Sequence, residues 1–179
     1  MFGLFSKKEK PVPVTDLIWL NDTGKKAGLL QLLKQKHAAV LCTWFADTAT
    51  AFESFLSDKE PGHTIYLQRE LHTSITNGKE VIFLEHYPLF KKEQELFRSL
   101  NAAAITVLSS LEDPLLIQFG GEKISTLMRT LGVDEAEAIS HKMITSSLVN
   151  AQQKLDEKIT TELLASSAEE WFKRNRSEK

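Results

Sequence analysis

The sequence has little of several features that would mark a specialised class of protein. It has one cysteine, Cys42, among 179 residues, so it cannot form an internal disulfide, and a reducing compartment is favoured. No run approaches the ~18 apolar residues of a membrane span. Neither sign of charge dominates, since 22 Lys and Arg stand against 24 Asp and Glu. A surface that binds nucleic acid over its whole area is therefore not expected.

The motifs of nucleotide hydrolysis are missing as well. A phosphate-binding loop has the pattern Gly-x-x-x-x-Gly-Lys-Ser/Thr, in which backbone N–H groups surround the phosphates. The one candidate is Thr23–Lys26, where Trp19 stands at the position of the earlier glycine and Lys26 replaces the hydroxyl residue. The five histidines show no metal-ligand spacing. We therefore expect no catalytic residues, no cofactor and no metal site.

What is present is an alternation of strand-length apolar runs with helical patterns. The runs are continuously apolar, as strands are when helices cover both faces of a parallel sheet. The predicted strands are Asp16–Leu20, Ala38–Phe45, His63–Gln68, Glu80–His86 and Ala103–Ser110. The main helical patterns between them are Lys25–Lys36, Thr48–Asp58 and Pro88–Leu100. This alternation predicts a three-layer α/β fold with a mainly parallel sheet of about five strands.

After Ser110 the sequence is helical. A pattern broken at Gly120–Gly121 comes first, and a long helix is predicted from about Asp134 to Arg174. Its apolar stripe has spacings of three and four and consists of Ile144, Leu148, Ala151, Leu155 and Ile159. Large exposed apolar side chains cost ~1.5–3 kcal/mol each relative to burial, so the stripe must be covered. We predict that it binds a partner protein or a second copy of the chain as a homo-dimer; the alternative is that it folds back onto its own domain.

These patterns predict four segments. They are a flexible N-terminal segment (1–14), an α/β domain (15–133), a helical extension (134–174) and a disordered tail (175–179). The first ten residues combine three large apolar side chains, at positions 2, 4 and 5, with three lysines. They are too short for a signal peptide and predict at most weak peripheral contact with an anionic membrane.

A series of short motifs lies in order between Val107 and Lys158. They are Ser110–Asp113, Phe119–Gly120, Leu127–Met128 with Leu131–Gly132, the acidic stretch Asp134–Glu137, Ile139–Met143 and Asn150–Lys154. In this order they resemble the SecA preprotein-translocase ATPase, at the end of its second nucleotide-binding domain and the start of its helical scaffold. Upstream, Glu85 and His86 stand where SecA has a Glu-Arg-His element, and the arginine-rich motif that follows in SecA is absent.

The resemblance implies a RecA-like lobe of the P-loop NTPase type in a bacterial cytoplasmic protein, at most peripheral to the inner face of the membrane. Because the catalytic motifs are missing, we expect a protein-interaction module linked to secretion and not an enzyme. Two alternatives stay open. One is a nucleic-acid-binding remnant of a helicase lobe, which the balanced charge disfavours. The other is a small-ligand enzyme with its crevice at Glu85 and His86, since α/β ligand crevices form at the carboxyl ends of strands.

Overall fold

A parallel sheet forms the centre of the molecule. The computed structural model describes residues 10–130, 132–140 and 142–176, without the side chain of Met143. The strands are β1 (Thr15–Trp19), β2 (Val40–Thr43), β3 (Ile65–Leu67), β4 (Glu80–Phe83) and β5 (Ala104–Ser110). They are ordered β1-β5-β4-β2-β3, and all four neighbouring pairs are parallel. The predicted α/β fold is confirmed; the expectations for residues 1–9 and 177–179 concern positions outside the described residues.

Helices flank this sheet. They are α1 (Asp22–Gln35), α2 (Ala46–Lys59), α3 (Thr73–Thr76), α4 (Phe90–Ser99), α5 (Pro114–Ile117), α6 (Gly121–Thr130), α7 (Lys142–Lys158) and α8 (Ala168–Asn175). Asn21 caps α1 by accepting a hydrogen bond from the backbone N–H of Gly24 at 2.8 Å. Gly120, at φ 95°, separates α5 from α6 and adopts a backbone conformation that favours glycine.

The two faces of the sheet bury two separate apolar clusters. Along β4 and the residue after it, Val81 and Phe83 belong to one cluster, whereas Ile82 and Leu84 belong to the other. This alternation follows from the period of two in a strand. Side chains of α1 and α2 cover the second cluster, and side chains of α4, α5, α7 and α8 join the first. Helices on both faces give the three layers.

The C-terminal third differs from the single long helix predicted from Asp134 to Arg174. Among the described residues of 134–174, helix is present only in α7 and α8. Before α7, Ile139 forms an antiparallel bridge with Ile18 through backbone hydrogen bonds of 3.1 and 2.7 Å. The non-helical segment 159–167 then connects the two helices. The chain therefore bends back against the sheet and does not extend away from it.

The stripe predicted as an interaction surface is covered by the protein's own core. Leu148, Ala151 and Leu155 are only 2%, 3% and 5% exposed. Leu148 and Leu155 belong to the same cluster as Val81 and Phe83 of β4. Ile144 and Ile159 are half-buried against that cluster. The fold-back alternative thus describes this structure, because a helix whose apolar face meets a sheet buries it there.

Both ends of the described chain are more ordered than the sequence suggested. The backbone N–H of Val12 donates to Oε1 of Gln94 at 2.7 Å, and Val12 and Val14 pack against the core. Asn175, placed in the tail by the sequence, ends α8 and accepts a hydrogen bond from the N–H of Leu163 at 2.7 Å. Packed structure therefore begins before Thr15.

Candidate functional site

Glu85 and His86 lie two and three residues after the end of β4, at the carboxyl edge of the sheet. Both are buried, and their side chains join different hydrogen-bond networks. The space that both residues line has a volume of about 10 Å³, which is about enough for one water molecule. The space that the two residues share is therefore too small for a substrate, although each of them also lines a larger cavity.

Glu85 binds the turn between β2 and α2. Its Oε1 accepts hydrogen bonds from Oγ1 of Thr43 at 2.5 Å and from the backbone N–H groups of Trp44 and Phe45 at 3.2 and 3.1 Å. Its Oε2 accepts one from Oγ1 of Thr48 at 2.8 Å. Burial raises the pKa of this carboxyl, and the hydrogen bonds offset only part of the increase. These four donors give Glu85 a structural role at the start of α2.

His86 lies between two carboxylates. Its Nδ1 is 2.9 Å from Oε1 of Glu93, on α4, and its Nε2 is 3.1 Å from Oδ1 of Asp16, on β1. Burial by itself lowers the pKa of His86, but the charge of Glu93 and the hydrogen bonds to Asp16 and Glu93 outweigh it and raise the pKa to about 10. The imidazole is therefore protonated at neutral pH, and both ring nitrogens donate.

The network continues into α7 through Gln152. Its Nε2 donates to the carbonyl oxygen of Tyr87 at 2.7 Å and to Oε2 of Glu93 at 3.0 Å. Glu93 Oε2 also accepts from the N–H of Tyr87 at 2.7 Å. Gln152 is fully buried, so polar groups attach α7 to the end of β4 in the middle of an otherwise apolar contact.

Sequence reasoning found His86 but missed its carboxylate partners Asp16 and Glu93, and it missed Gln152, which donates to Glu93. A signal was present for two of them. Glu93 lies between Phe90 and Phe97 at helical spacing, and Gln152 follows Leu148 by four residues on the apolar stripe. A polar residue on the buried face of a helix requires a hydrogen-bond partner, although its spacing does not identify that partner.

A second group of charged side chains lies at the carboxyl edge of the sheet, between the start of α1 and the residues after β5. Nζ of Lys25 lies 3.0 Å from both carboxylate oxygens of Asp113. Asp113 also accepts hydrogen bonds from the N–H and hydroxyl groups of Ser110, each at 3.0 Å. Glu112 accepts from the N–H of Asp22 at 3.0 Å, so it satisfies the first turn of α1.

These residues line a cleft of about 270 Å³ at the carboxyl edge of the sheet. Its acidic lining residues are Asp22, Asp47, Glu85, Glu112, Asp113 and Glu169. Two lysines, Lys25 and Lys26, face them, and both are paired, with Asp113 and Asp22 respectively. Such a lining repels a phosphate chain, whereas phosphoryl-transfer sites place positive charge there.

The fold and this edge together define a three-layer α/β protein in which charged side chains at the carboxyl ends of the strands pair with each other. No protein-family model matches the sequence. Over 47 residues the chain is 49% identical to the protein translocase subunit SecA of Acidithiobacillus ferrooxidans. This match covers 26% of this chain and 5% of that protein.

Two other SecA proteins give similar matches over 47 residues and 26% of this chain. Identity is 49% with Desulforapulum autotrophicum, covering 6% of that protein, and 47% with Acinetobacter baumannii, covering 5%. The chain therefore contains a SecA-related region and matches only a small part of these relatives' length. Among the helices that the structure describes, none is long and apolar enough to cross a membrane.

Proposed function

We propose that this protein is a non-catalytic SecA-like module that binds another protein, in a process linked to protein secretion in the cytoplasm. The observation that supports the non-catalytic role is the Lys25–Asp113 ion pair at the acidic edge of the sheet. Lys25 is the residue that would contact phosphates if this edge bound a nucleotide. Its ammonium group is held at 3.0 Å by both Asp113 oxygens, so phosphate contact would require breaking a buried ion pair.

The link to secretion rests on the SecA-related region. The run Val107–Lys158 that carries the resemblance begins in β5 and ends with α7. In this protein that run completes the core, because Leu148 and Leu155 pack with the strands. The region is therefore part of a folded unit, and a contact with another protein would use the outer surface of that unit.

A binding role is supported by apolar side chains left on that outer surface. Among the residues that the structure describes, the large exposed apolar side chains are Ile117, Phe119, Leu127, Leu163 and Leu164. They come from the α5–α6 region and from the segment between α7 and α8. Single exposed apolar residues are ordinary, but groups of them mark protein–protein contacts.

The two alternative functions have less support. His86 also lines a cavity of about 380 Å³ near Pro11–Val14. Both of its nitrogens are engaged by Glu93 and Asp16, so it has no lone pair to act as a base toward a small ligand. The cleft at the strand ends is acidic, which disfavours nucleic acid at the edge where the protein would bind a polyanion.

Two measurements test the proposal. We expect purified protein to bind Mg-ATP weakly or not at all in calorimetry and to release no phosphate. ATP turnover that Lys25→Ala abolishes would refute the non-catalytic role. For the binding role, a photo-crosslinking amino acid at exposed positions such as Leu164 should give a discrete cross-linked protein in bacterial cells. If no exposed apolar position gave a cross-linked protein, and all of them cross-linked to nucleic acid instead, the protein-binding role would be refuted.

A further inference from the structure

An open groove lies between the α5–α6 connection, the end of α7 and α8. Its volume is about 460 Å³, within the ~300–1,000 Å³ range of binding pockets. The apolar part of its lining consists of Phe119, Leu155, Ile159 and Phe172. Leu155 and Ile159 are the C-terminal end of the stripe described above, so this end of α7 is partly accessible from outside.

The charges of the groove all have one sign. Its charged lining residues are Lys154, Lys158 and Arg176, and all three are exposed. Within the described part of the chain, none of them lies within salt-bridge distance of a carboxylate. Three cations without a carboxylate partner among the described residues surround an apolar floor, so the lining of the groove is positive although the whole chain has a net charge of -2.

Exposed apolar side chains extend the groove on two sides. Phe119 is 42% exposed and lines it from the α5–α6 connection. On the other side Asn175, a lining residue, holds the backbone of Leu163 through hydrogen bonds of 2.7 Å to its N–H and 2.8 Å to its carbonyl oxygen. The backbone of Leu163, whose side chain is 52% exposed, is thereby attached to a residue that lines the groove. These hydrogen bonds hold the backbone on this side of the groove in place.

We infer that this groove binds an acidic amphipathic segment of a partner protein, with large apolar side chains on one face and Asp or Glu beside them. This rests on the proposed function and specifies its site. The apolar floor and the basic rim together fit a helix-in-groove interaction, in which apolar residues at helical spacing enter the groove. Carboxylates next to them would pair with Lys154, Lys158 and Arg176.

A peptide is favoured over the other ligands that basic residues attract. A phosphate backbone would gain from the three cations but would leave the apolar floor uncovered. A second copy of this chain would bring the same three cations against each other in a symmetric contact of groove with groove, which like charges oppose. An acidic amphipathic segment satisfies both the apolar and the charged part of the surface.

The test uses the full chain and a labelled synthetic helix of about twelve residues, with Leu and Phe at i, i+3, i+4 and i+7 and Glu elsewhere. The control peptide carries Lys at every Glu position. Fluorescence anisotropy should show saturable binding of the acidic peptide and at least about tenfold weaker binding of the basic one. Equal affinity for both peptides, or no saturable binding of the acidic one, would overturn the inference.

Variants locate the binding. Lys154→Glu with Lys158→Glu should weaken binding of the acidic peptide at least about tenfold, and the variant should bind the basic peptide more tightly than the acidic one. Lys34→Glu with Lys79→Glu is the matched control, because it changes the net charge equally at exposed lysines outside the groove. Equal losses in both double variants would overturn the groove as the site. Cellular cross-links that persist in the Lys154→Glu, Lys158→Glu variant would also overturn the groove as the binding site, while leaving the proposed binding function intact.

Discussion

The strand-end edge and the groove use the same kinds of charged side chain in opposite ways. At the edge, Lys25 and His86 are buried and each lies within 3.1 Å of carboxylate oxygens. In the groove, Lys154 and Lys158 are exposed and have no carboxylate partner among the described residues. The carboxyl edge of a parallel sheet is where α/β proteins form their ligand crevices, yet here the charged side chains at this edge pair with each other.

The difference indicates where this chain can still bind something. Charges that are paired inside the protein contribute to one defined arrangement and leave little potential for a ligand. Charges that are solvated beside apolar surface cost nothing to maintain and remain available for a partner. The comparison predicts that changes at the edge affect stability and that changes in the groove affect binding.

The largest effect is expected from a charge placed inside the α7 contact. Leu148→Asp should lower the free energy of unfolding by more than about 4 kcal/mol, because it removes a buried side chain and buries an unpaired carboxylate. Urea denaturation followed by circular dichroism measures this, with the exposed substitution Gln153→Asp as control. A Leu148→Asp protein as stable as its parent would mean that the stripe is surface, as the sequence first suggested.

His86→Gln is expected to have the next largest effect. It leaves Asp16 and Glu93 buried without their shared cation, and removing one member of a buried charged group costs ~3–5 kcal/mol. His72→Gln is the control, since His72 is exposed. Urea denaturation at pH 7 should separate the two variants clearly. A loss below about 1 kcal/mol would show that the network contributes little and would weaken the contrast with the groove.

The pH dependence of stability gives a somewhat smaller, more specific signature. The pKa of His86 is raised to about 10 from ~6.5 in an unfolded chain. Its contribution is therefore complete below about pH 6.5 and is lost as pH rises toward 10. Between these values the native state holds one proton more than the unfolded state, so unfolding free energy falls by ~1.4 kcal/mol per pH unit.

The measurement compares the parent with His86→Gln between pH 7 and pH 9. We expect the parent to lose about 2–3 kcal/mol more than the variant across this range. The difference between the two proteins removes the contributions of other groups, such as Cys42 and Tyr87, whose pKa values are also raised by burial. Parallel pH profiles would show that His86 is not charged in the native state.

The sheet could be predicted because each strand is a local signal. Runs such as 80–86 and 103–110 have an apolar centre rich in Val, Ile and Leu, so the local sequence suffices to identify them. The helices α1, α2 and α4 were predicted for the same reason, from apolar positions at helical spacing.

The C-terminal arrangement could not be predicted because it depends on distant contacts. Leu163 continues the helical spacing of the stripe, but its backbone is held by Asn175. The preceding Glu162 accepts hydrogen bonds from Tyr87, Lys92 and Trp171. These tertiary contacts override the helical pattern between α7 and α8.

The candidate site was predicted only in part for a related reason. His86 and Asp16 are 70 residues apart in sequence, and Gln152 reaches the network from the last third of the chain. Their residue types are visible in the sequence, but their meeting point follows from the order of strands in the sheet. The positive groove depends even more on topology, since Phe119, Lys154 and Arg176 come from three separate elements.

The smallest effect on stability is expected in the groove. Lys154→Gln with Lys158→Gln removes two exposed charges that have no carboxylate partner in the described part of the chain. We therefore expect the loss of only their favourable interaction with the C-terminal end of α7, at ~0.3–1 kcal/mol for each charge near a helix end. Lys25→Gln is the same chemical change at the strand-end edge and should cost about 3 kcal/mol, because it leaves Asp113 without its buried cation. Urea denaturation of the two variants side by side, at low and high salt, measures the contrast directly. High salt should reduce the small groove effect further by screening and leave the effect of Lys25→Gln nearly unchanged. If the groove variant were as destabilised as Lys25→Gln, its lysines would belong to a structural network, and the distinction between an occupied edge and an available groove would fail.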